Sequence, residues 1–439
     1  MPDFDWAAFE DAIVDGVVTA VREHQGERVV VAALDRIYRE TDGIIALPNL
    51  GLDSAEAAAR RAANKDDDDD EWWNPADWDH YDDAWLPQDV GLRWERELTA
   101  YACRGRRDDW ESTWDSYVST LVRACRRARA ELRDVLVVLL DEQHYEAWIR
   151  LVLTEAELAE HFPALVAAAV ELARVHALPL GEQASYFAAR LRHEGREEAE
   201  SELRGLGSAA IPALLPLLAR KDLAWQAAKL LADIGQATDD VTAALEVALL
   251  KRKGPDQAWV ARALARLGRL EIVLQHQNRL SDDVVATAVA APYAGFRDDA
   301  THPLRLDYRP LEDILDQRPS YGPLLDTELR PGSGYCTISV DEVGEAVRGL
   351  GSAHVIVRRH AVCVVGDRAL GSEVAGTVLP LLADVLRTDP DPTVRRLAIL
   401  STLWWHNDSR SYADIIREAR DDPDAAVRDT AVMWLRDQG

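Results

Sequence analysis

The chain has 439 residues, with 50 Lys and Arg against 77 Asp and Glu, a net charge of −27. That balance lacks the basic footprint by which a protein releases counterions from a polyanion, so a general DNA or RNA binder is not expected. Hydrophobic residues make up 48%, a globular rather than disordered composition, and at roughly 100–200 residues per domain the length points to about two to four domains.

No apolar run approaches the roughly 20 residues that span a bilayer, so no membrane association is expected. The start, Met1-Pro2-Asp3-Phe4-Asp5, has neither the basic region nor the apolar core of a signal peptide. Cys103, Cys125, Cys336 and Cys363 are scattered without a Cys-x-x-Cys pair, which fits a reducing cytoplasm and neither a disulfide framework nor a zinc site. No metal or cofactor is expected. Gly205-Leu206-Gly207 is too short for a phosphate loop, and Gly332-Ser333-Gly334 lacks the lysine of one.

Charge and tryptophan are unevenly placed. Residues 1–165 hold 37 acidic and 18 basic side chains, a net of −19, and nine of the 14 Trp. Such a break marks a domain boundary near Phe162-Pro163. In chain order, Phe4, Phe9, Ile13 and Val17 predict a helix over 4–24, stopped by Gly26. Residues 28–34 read as a strand through Val29, Val30 and Val31, and 43–50 as a second through Ile44, Ile45 and Leu47. Asp53 with Glu56 resembles a capping box for a helix over 54–64. The acidic run 66–71 then leads into Trp72-Trp73-Asn74-Pro75-Ala76-Asp77-Trp78-Asp79-His80-Tyr81. Helices over 91–102 and 109–132, a buried strand over 135–140, and a short helix capped by Thr154 and Glu157 complete an α+β domain.

This element order, with the strand ending Ala32-Ala33-Leu34-Asp35, the Trp73–Trp78 segment and the apolar strand before Asp141, resembles the bacterial domain of unknown function 4303 family. The resemblance covers about residues 4–165 and implies an immunity-type or bacterial-conflict role. It brings no chemistry to carry over residue by residue.

From about residue 200 the chain repeats. Trp225 and Trp259 occupy similar places in successive helix pairs, and Val357-Arg358-Arg359 is echoed by Val394-Arg395-Arg396 and Val427-Arg428-Asp429. A period of about 30–47 residues with two helices each predicts a stacked solenoid. The Asp…Val-Arg pattern resembles HEAT repeats, which implies an all-α right-handed solenoid. The expected organisation is an acidic Trp-rich α+β domain over 1–165, a helical connector over 166–199, HEAT-like repeats over 200–291, an irregular proline- and aromatic-rich insertion over 292–340, and HEAT-like repeats over 341–439. Pro292, Pro303, Pro310, Pro319, Pro323 and Pro331 set the insertion apart, because proline is excluded from helix interiors.

Candidate chemistry is sparse. His354 and His360 have no metal-ligand spacing. Arg123, Arg126, Arg127, Arg129 and Arg133 form a basic stripe expected to meet carboxylates inside its own domain. Trp73, Asp77, Trp78, Asp79, His80 and Tyr81, with Tyr308, Arg309 and Tyr335 of the insertion, are the candidate partner-binding residues. Arg358, Arg395 and Arg428 are expected to be structural, linking neighbouring repeats. A protein-binding scaffold follows, suited by its acidic head to a basic partner. The alternative is an enzyme with the N-terminal domain active and the solenoid as a substrate dock.

Overall fold

The computed structural model describes residues 3–24, 26–37, 39, 43–63, 74–104, 107–140, 145–193 and 195–437. The acidic run 66–71 and the candidate Trp73 lie outside the described residues. The chain divides into two compact units, Met1–Ala173 and Arg174–Gly439.

In the first unit, α1 (Trp6–Glu23) starts where the Asp5 side chain accepts a hydrogen bond from the Ala8 N–H. It leads into β1 (Val29–Asp35), β2 (Asn49–Ser54) and α2 (Ala55–Ala63). There follow β3 (His80–Asp82), α3 (Gln88–Ala102), α4 (Arg107–Leu132) and β4 (Leu136–Leu139). Then come α5 (Tyr145–Val152), α6 (Glu155–His161) and α7 (Pro163–His176), which runs across the division between the units. The sheet order is β3-β2-β1-β4, with β1 antiparallel to β2 and parallel to β4. Central β1 is buried through Ala32, Ala33 and Leu34. Helix α4 packs on both α1 and β4.

The second strand lies at 49–54 rather than 43–50. Residues 43–47 are held by side chains instead of a ladder. Trp110 Nε1 donates to the Gly43 carbonyl (3.1 Å) and Tyr117 Oη to that of Ala46 (2.9 Å). The Ile45 N–H donates to Thr99 Oγ1 (3.1 Å) and the Leu47 N–H to Glu95 Oε1 (3.0 Å). With its polar groups so satisfied, an apolar stretch need not join a sheet. The true strand carries Asn49, Gly51 and Asp53 on one face, polar in sequence but covered in the fold. Pro75 and Trp78 lie directly over Gly51, where a Cβ would stand 2.7 Å from Pro75 Cβ. The cap of α2 also differs: the Ser54 hydroxyl, not Asp53, accepts from the Ala57 N–H (3.1 Å).

Three arginines of the basic stripe meet carboxylates inside the unit, and Arg126 donates to the Leu151 carbonyl. Arg123 and Arg127 bind Glu10 of α1 at 2.7 and 2.9 Å, Arg127 also binds Asp11, and Arg129 pairs with Glu157. Thr154 and Glu157 form the expected capping box.

The second unit is a helical repeat. Helices α8 (Leu180–Arg190) and α9 (Arg196–Leu206) pair first. Then α10 (Ile211–Leu214), extended by a 3-10 turn to Ala219, leads to α11 (Ala224–Ile234). The same alternation gives α12 (Asp239–Lys251) and α13 (Pro255–Arg266), then α14 (Leu270–Gln275) and α15 (Asp282–Ala290). It continues with α16 (Arg309–Gln317) and α17 (Gly322–Glu328), then α18 (Val343–Leu350) and α19 (Val355–Val364). Helices α20 (Ser372–Thr388), α21 (Pro392–Leu403), α22 (Ala413–Glu418) and α23 (Ala425–Asp437) complete it.

The second helices form one layer. Helix α11 packs on α13, α13 on α15 and α15 on α17, then α19 on α21 and α21 on α23. An Arg359–Asp326 ion pair bridges α19 to α17. Alanines such as Ala227, Ala228, Ala261 and Ala265, all fully buried or nearly so, let these helices approach closely. Each hairpin leaves an apolar face that only its neighbours cover.

Residues 292–340 are more regular than their composition predicts. They contain α16 and α17, with Pro292, Pro310, Pro319 and Pro323 in the first positions of helical turns, where a missing N–H breaks no helical bond. The stretch Arg196–Ala219 is long and apolar enough on composition to cross a membrane. In the fold, Gly207 breaks it at φ 55° and its parts pack on α8 and α11.

Candidate functional site

The predicted residues around β3 fall into two groups. Trp78 belongs to the core, only 5% exposed, so it is not a partner-binding side chain: its ring covers Gly51. The others line the outer strand. Asn74 caps the turn before it, accepting from the Ala76 N–H (3.3 Å) and donating to Asp77 (2.7 Å). Asp79 pairs with Arg60. His80 Nε2 lies 3.0 Å from Glu27, and its ring centre 4.3 Å from that of His24. The hydrogen bond from His80 holds the Glu27 carboxyl below the usual range. Tyr81 accepts from Asn49 (2.8 Å) and donates to buried Asp35 (3.2 Å), and burial raises its hydroxyl's pKa. The segment therefore brings Asp77, Asp79, His80 and Tyr81 to one edge, each already bonded to a neighbour.

The insertion candidates separate in the same way. Tyr308 is fully buried and so cannot meet a partner. Its ring stacks on Tyr293 at 5.7 Å and enters the space left by Gly349, where a Cβ would stand 2.5 Å from it. Tyr335 donates to the Leu329 carbonyl (2.7 Å) and lies against His360. Arg309 is exposed and chelates Asp307.

Around Tyr308 lies a buried polar hub that the sequence did not announce. His360 Nδ1 is 2.7 Å from Tyr308 Oη, and Nε2 is 2.8 Å from the Tyr293 carbonyl. A carbonyl only accepts, so Nε2 carries the proton and Nδ1 accepts from the tyrosine. Cys336 Sγ lies 3.8 Å from Nε2 and 3.3 Å from Arg297, which also pairs with Glu342. Burial lowers the His360 pKa to about 4 and pushes the Cys336 thiol up to about 11, against the pull of Arg297. At neutral pH both are uncharged, so the pair is not a thiolate–imidazolium nucleophile. The contacts of His360 fasten Tyr293, Tyr308 and Cys336 to α19, while Arg297 ties Cys336 and Glu342 together within the 293–342 segment. The His360 position was legible as a packing residue, but its partners were not.

The arginine ladder links neighbouring repeats at two of the three predicted positions, Arg358 and Arg395, and Arg428 holds only its own turn. Arg358 forks onto Asp389 (2.7 and 3.2 Å) and donates to the Ser352 and Ala353 carbonyls. Arg395 forks onto Asp422 (2.8 Å) and donates to the Asp389 and Pro390 carbonyls. Arg428 donates to the Asp422 and Pro423 carbonyls. Each arginine thus closes its own turn, and the first two also hold the next one. Upstream the linkage changes form. Buried Asp233 on α11 receives Arg266 (2.8 Å) and Lys229 (3.0 Å), with Arg204 at 3.6 Å. An aspartate in the last turn of an apolar helix was the only sequence signal of it. Aromatics also line up from repeat to repeat: half-buried Trp225 lies 5.9 Å from half-buried Trp259, and Trp259 5.1 Å from exposed Phe296. Arg262 sits over Trp259 at 5.1 Å.

These features define a two-part protein, an α+β unit followed by a helical-repeat unit. No family model matches the chain, and no curated protein matches it. Among solved structures it is similar to human deoxyhypusine hydroxylase in complex with glycerol. That match has 19% identity and a TM-score of 0.26, over 59% of this chain and 96% of that one.

Proposed function

We propose that the protein is a binding scaffold whose second unit is a right-handed HEAT-like solenoid. Its layer of second helices offers a partner protein an extended face. The observation that carries this reading is the row of half-buried Trp225 and Trp259 with exposed Phe296 along that array, because partly exposed aromatic rings are common anchors of interfaces. The neutral, fully bonded hub around His360 supports a structural rather than reactive role for the clustered polar groups.

The acidic first unit, −19 over residues 1–165, suits a basic partner and would act by covering it, as an immunity-type protein does. Complementary charge speeds association and selects partners. Capture with the full chain as bait, at roughly 50 and roughly 300 mM salt, tests this. Basic proteins retained at low salt and released at high salt are expected. A captured set without basic bias, or retention indifferent to salt, removes the electrostatic half of the proposal.

A further inference from the structure

The chain has only five lysines: Lys65, Lys221, Lys229, Lys251 and Lys253. Its other 45 cations are arginines, and many of these are forked onto carboxylates or carbonyls, as in the ladder. Three of the five lysines stand at two turns, Lys221 before α11 and, before α13, Lys253 together with Lys251 at the end of α12. The fold brings these turns together, since Arg252 of the second donates to the Ala219 carbonyl of the first at 3.0 Å. Arg220, Lys221, Lys251 and Lys253 are exposed, and none of their side chains makes a hydrogen bond or an ion pair among the described residues.

Two acids stand beside them. Asp222 is taken by Arg192. Asp256 is partly buried, its pKa raised by burial and drawn down by Arg252 and Lys221. The N-terminus of α13 opens from the second turn, adding the positive end of its dipole, whereas the start of α11 is already met by Asp256, which accepts from the Trp225 N–H. Half-buried Trp225 and Trp259 lie in the first two turns of the same helices with their rings 5.9 Å apart, and exposed Phe296 lies 5.1 Å from Trp259. In a molecule of net charge −27, this corner joins exposed cations without an ion pair among the described residues to an aromatic floor.

We propose that this corner of the second unit docks an acidic peptide segment of a partner protein. Its carboxylates would meet Lys221, Lys251 and Lys253, and an apolar side chain would rest on Trp225 and Trp259. Charge complementarity selects the carboxylates, and a flexible ammonium with three donors adapts to an extended acidic chain better than a planar fork. A short peptide is favoured over nucleic acid because a long polyanion would also meet the repulsion of the whole chain. This inference rests on the scaffold reading, and its failure would leave the capture experiment above free to succeed.

The scarcity of lysine allows a test on the unaltered full-length protein. It is labelled with limiting acetic anhydride, alone and with a peptide of alternating Glu and Leu, and the modified lysines are read by mass spectrometry. Protection of Lys221, Lys251 and Lys253, with Lys65 unchanged, is expected. The same peptide with Gln in place of Glu should not protect. In a fluorescence titration, Lys221→Glu with Lys253→Glu should weaken binding about tenfold or more, with circular dichroism unchanged. Arg96→Glu, on the surface of the first unit, should leave binding alone. No protection, protection equal with the Gln peptide, or stronger protection by an oligothymidylate overturns the proposal. So does protection that appears without peptide as protein concentration rises, which would put a second copy of the chain there.

Discussion

The two units are held together over different distances along the chain. In the first, Arg127 reaches Glu10 across 117 positions and Tyr117 reaches Ala46 across 71. In the second, the links from repeat to repeat are shorter, Arg358 to Asp389 across 31, Arg395 to Asp422 across 27 and Arg266 to Asp233 across 33, and the 292–340 segment reaches further, as from Tyr293 to His360 across 67. The first unit is therefore expected to lose its structure as one body, and the second by neighbouring repeats. The same contrast bears on binding. A globular unit offers whatever surface its core leaves, whereas an array repeats the same positions and so lines up rings and cations.

Four outcomes would break or sharpen this contrast. The largest effect is expected from Asp233→Ala, which leaves Arg266 and Lys229 without their buried carboxylate, at a cost of about 3–5 kcal/mol. Hydrogen exchange should show protection lost across α9–α13 and kept in α21–α23. Loss spread evenly over the unit would mean it is not a chain of local couplings. Trp110→Ala, in the first unit, removes a fully buried ring and its bond to the Gly43 carbonyl, again at about 3–5 kcal/mol. Here exchange should rise across the whole first unit together.

Next comes pH. The folded pKa of His360 is lowered to about 4 from 6.5, so the unfolded chain binds the proton more readily. Its contribution to stability is complete above 6.5 and is lost as pH falls from there to about 4, amounting to about 3 kcal/mol. Urea midpoints for the native chain should fall more steeply over that window than those of His360→Gln. Parallel curves would show that the hub does not hold a neutral imidazole. The smallest effect is expected from Arg395→Ala, which frees Asp422 and two carbonyls at a cost of about 2 kcal/mol. Increased exchange should be confined to α20–α23. A double-mutant cycle with Asp422→Ala should show coupling, and additivity would remove the rung.

Local signals in the sequence were strong wherever a rule operates within one turn or one period. The expected Thr154–Glu157 capping box forms, and Ser339 and Glu342, at the same spacing, form another. The apolar runs at β1 and β4 are strands, and the recurring Val-Arg marks the second helices α19, α21 and α23. Signals failed where the deciding partner lies far along the chain. Ile44, Ile45 and Leu47 have β-forming patterns, yet α3 and α4 claim their backbone. Gly51 and Asp53 fall outside the predicted strand, yet Pro75 and Trp78 cover Gly51 and Arg61 pairs with buried Asp53. Tyr308 and Trp78 had the composition of interface residues and turned out to be core, because both find a glycine, Gly349 or Gly51, that admits a large ring.

The amino-acid sequence by itself determined the charge imbalance, the caps, the helix-pair period and the arginine at the head of the later second helices. These depend on composition and on residues a few positions apart. Tertiary structure alone decided which polar residues became buried partners, as with His360 and Asp233, and which cations stayed free. It also joined the two lysine turns, because adjacency between repeats is set by how small side chains let one helix layer stack on the next.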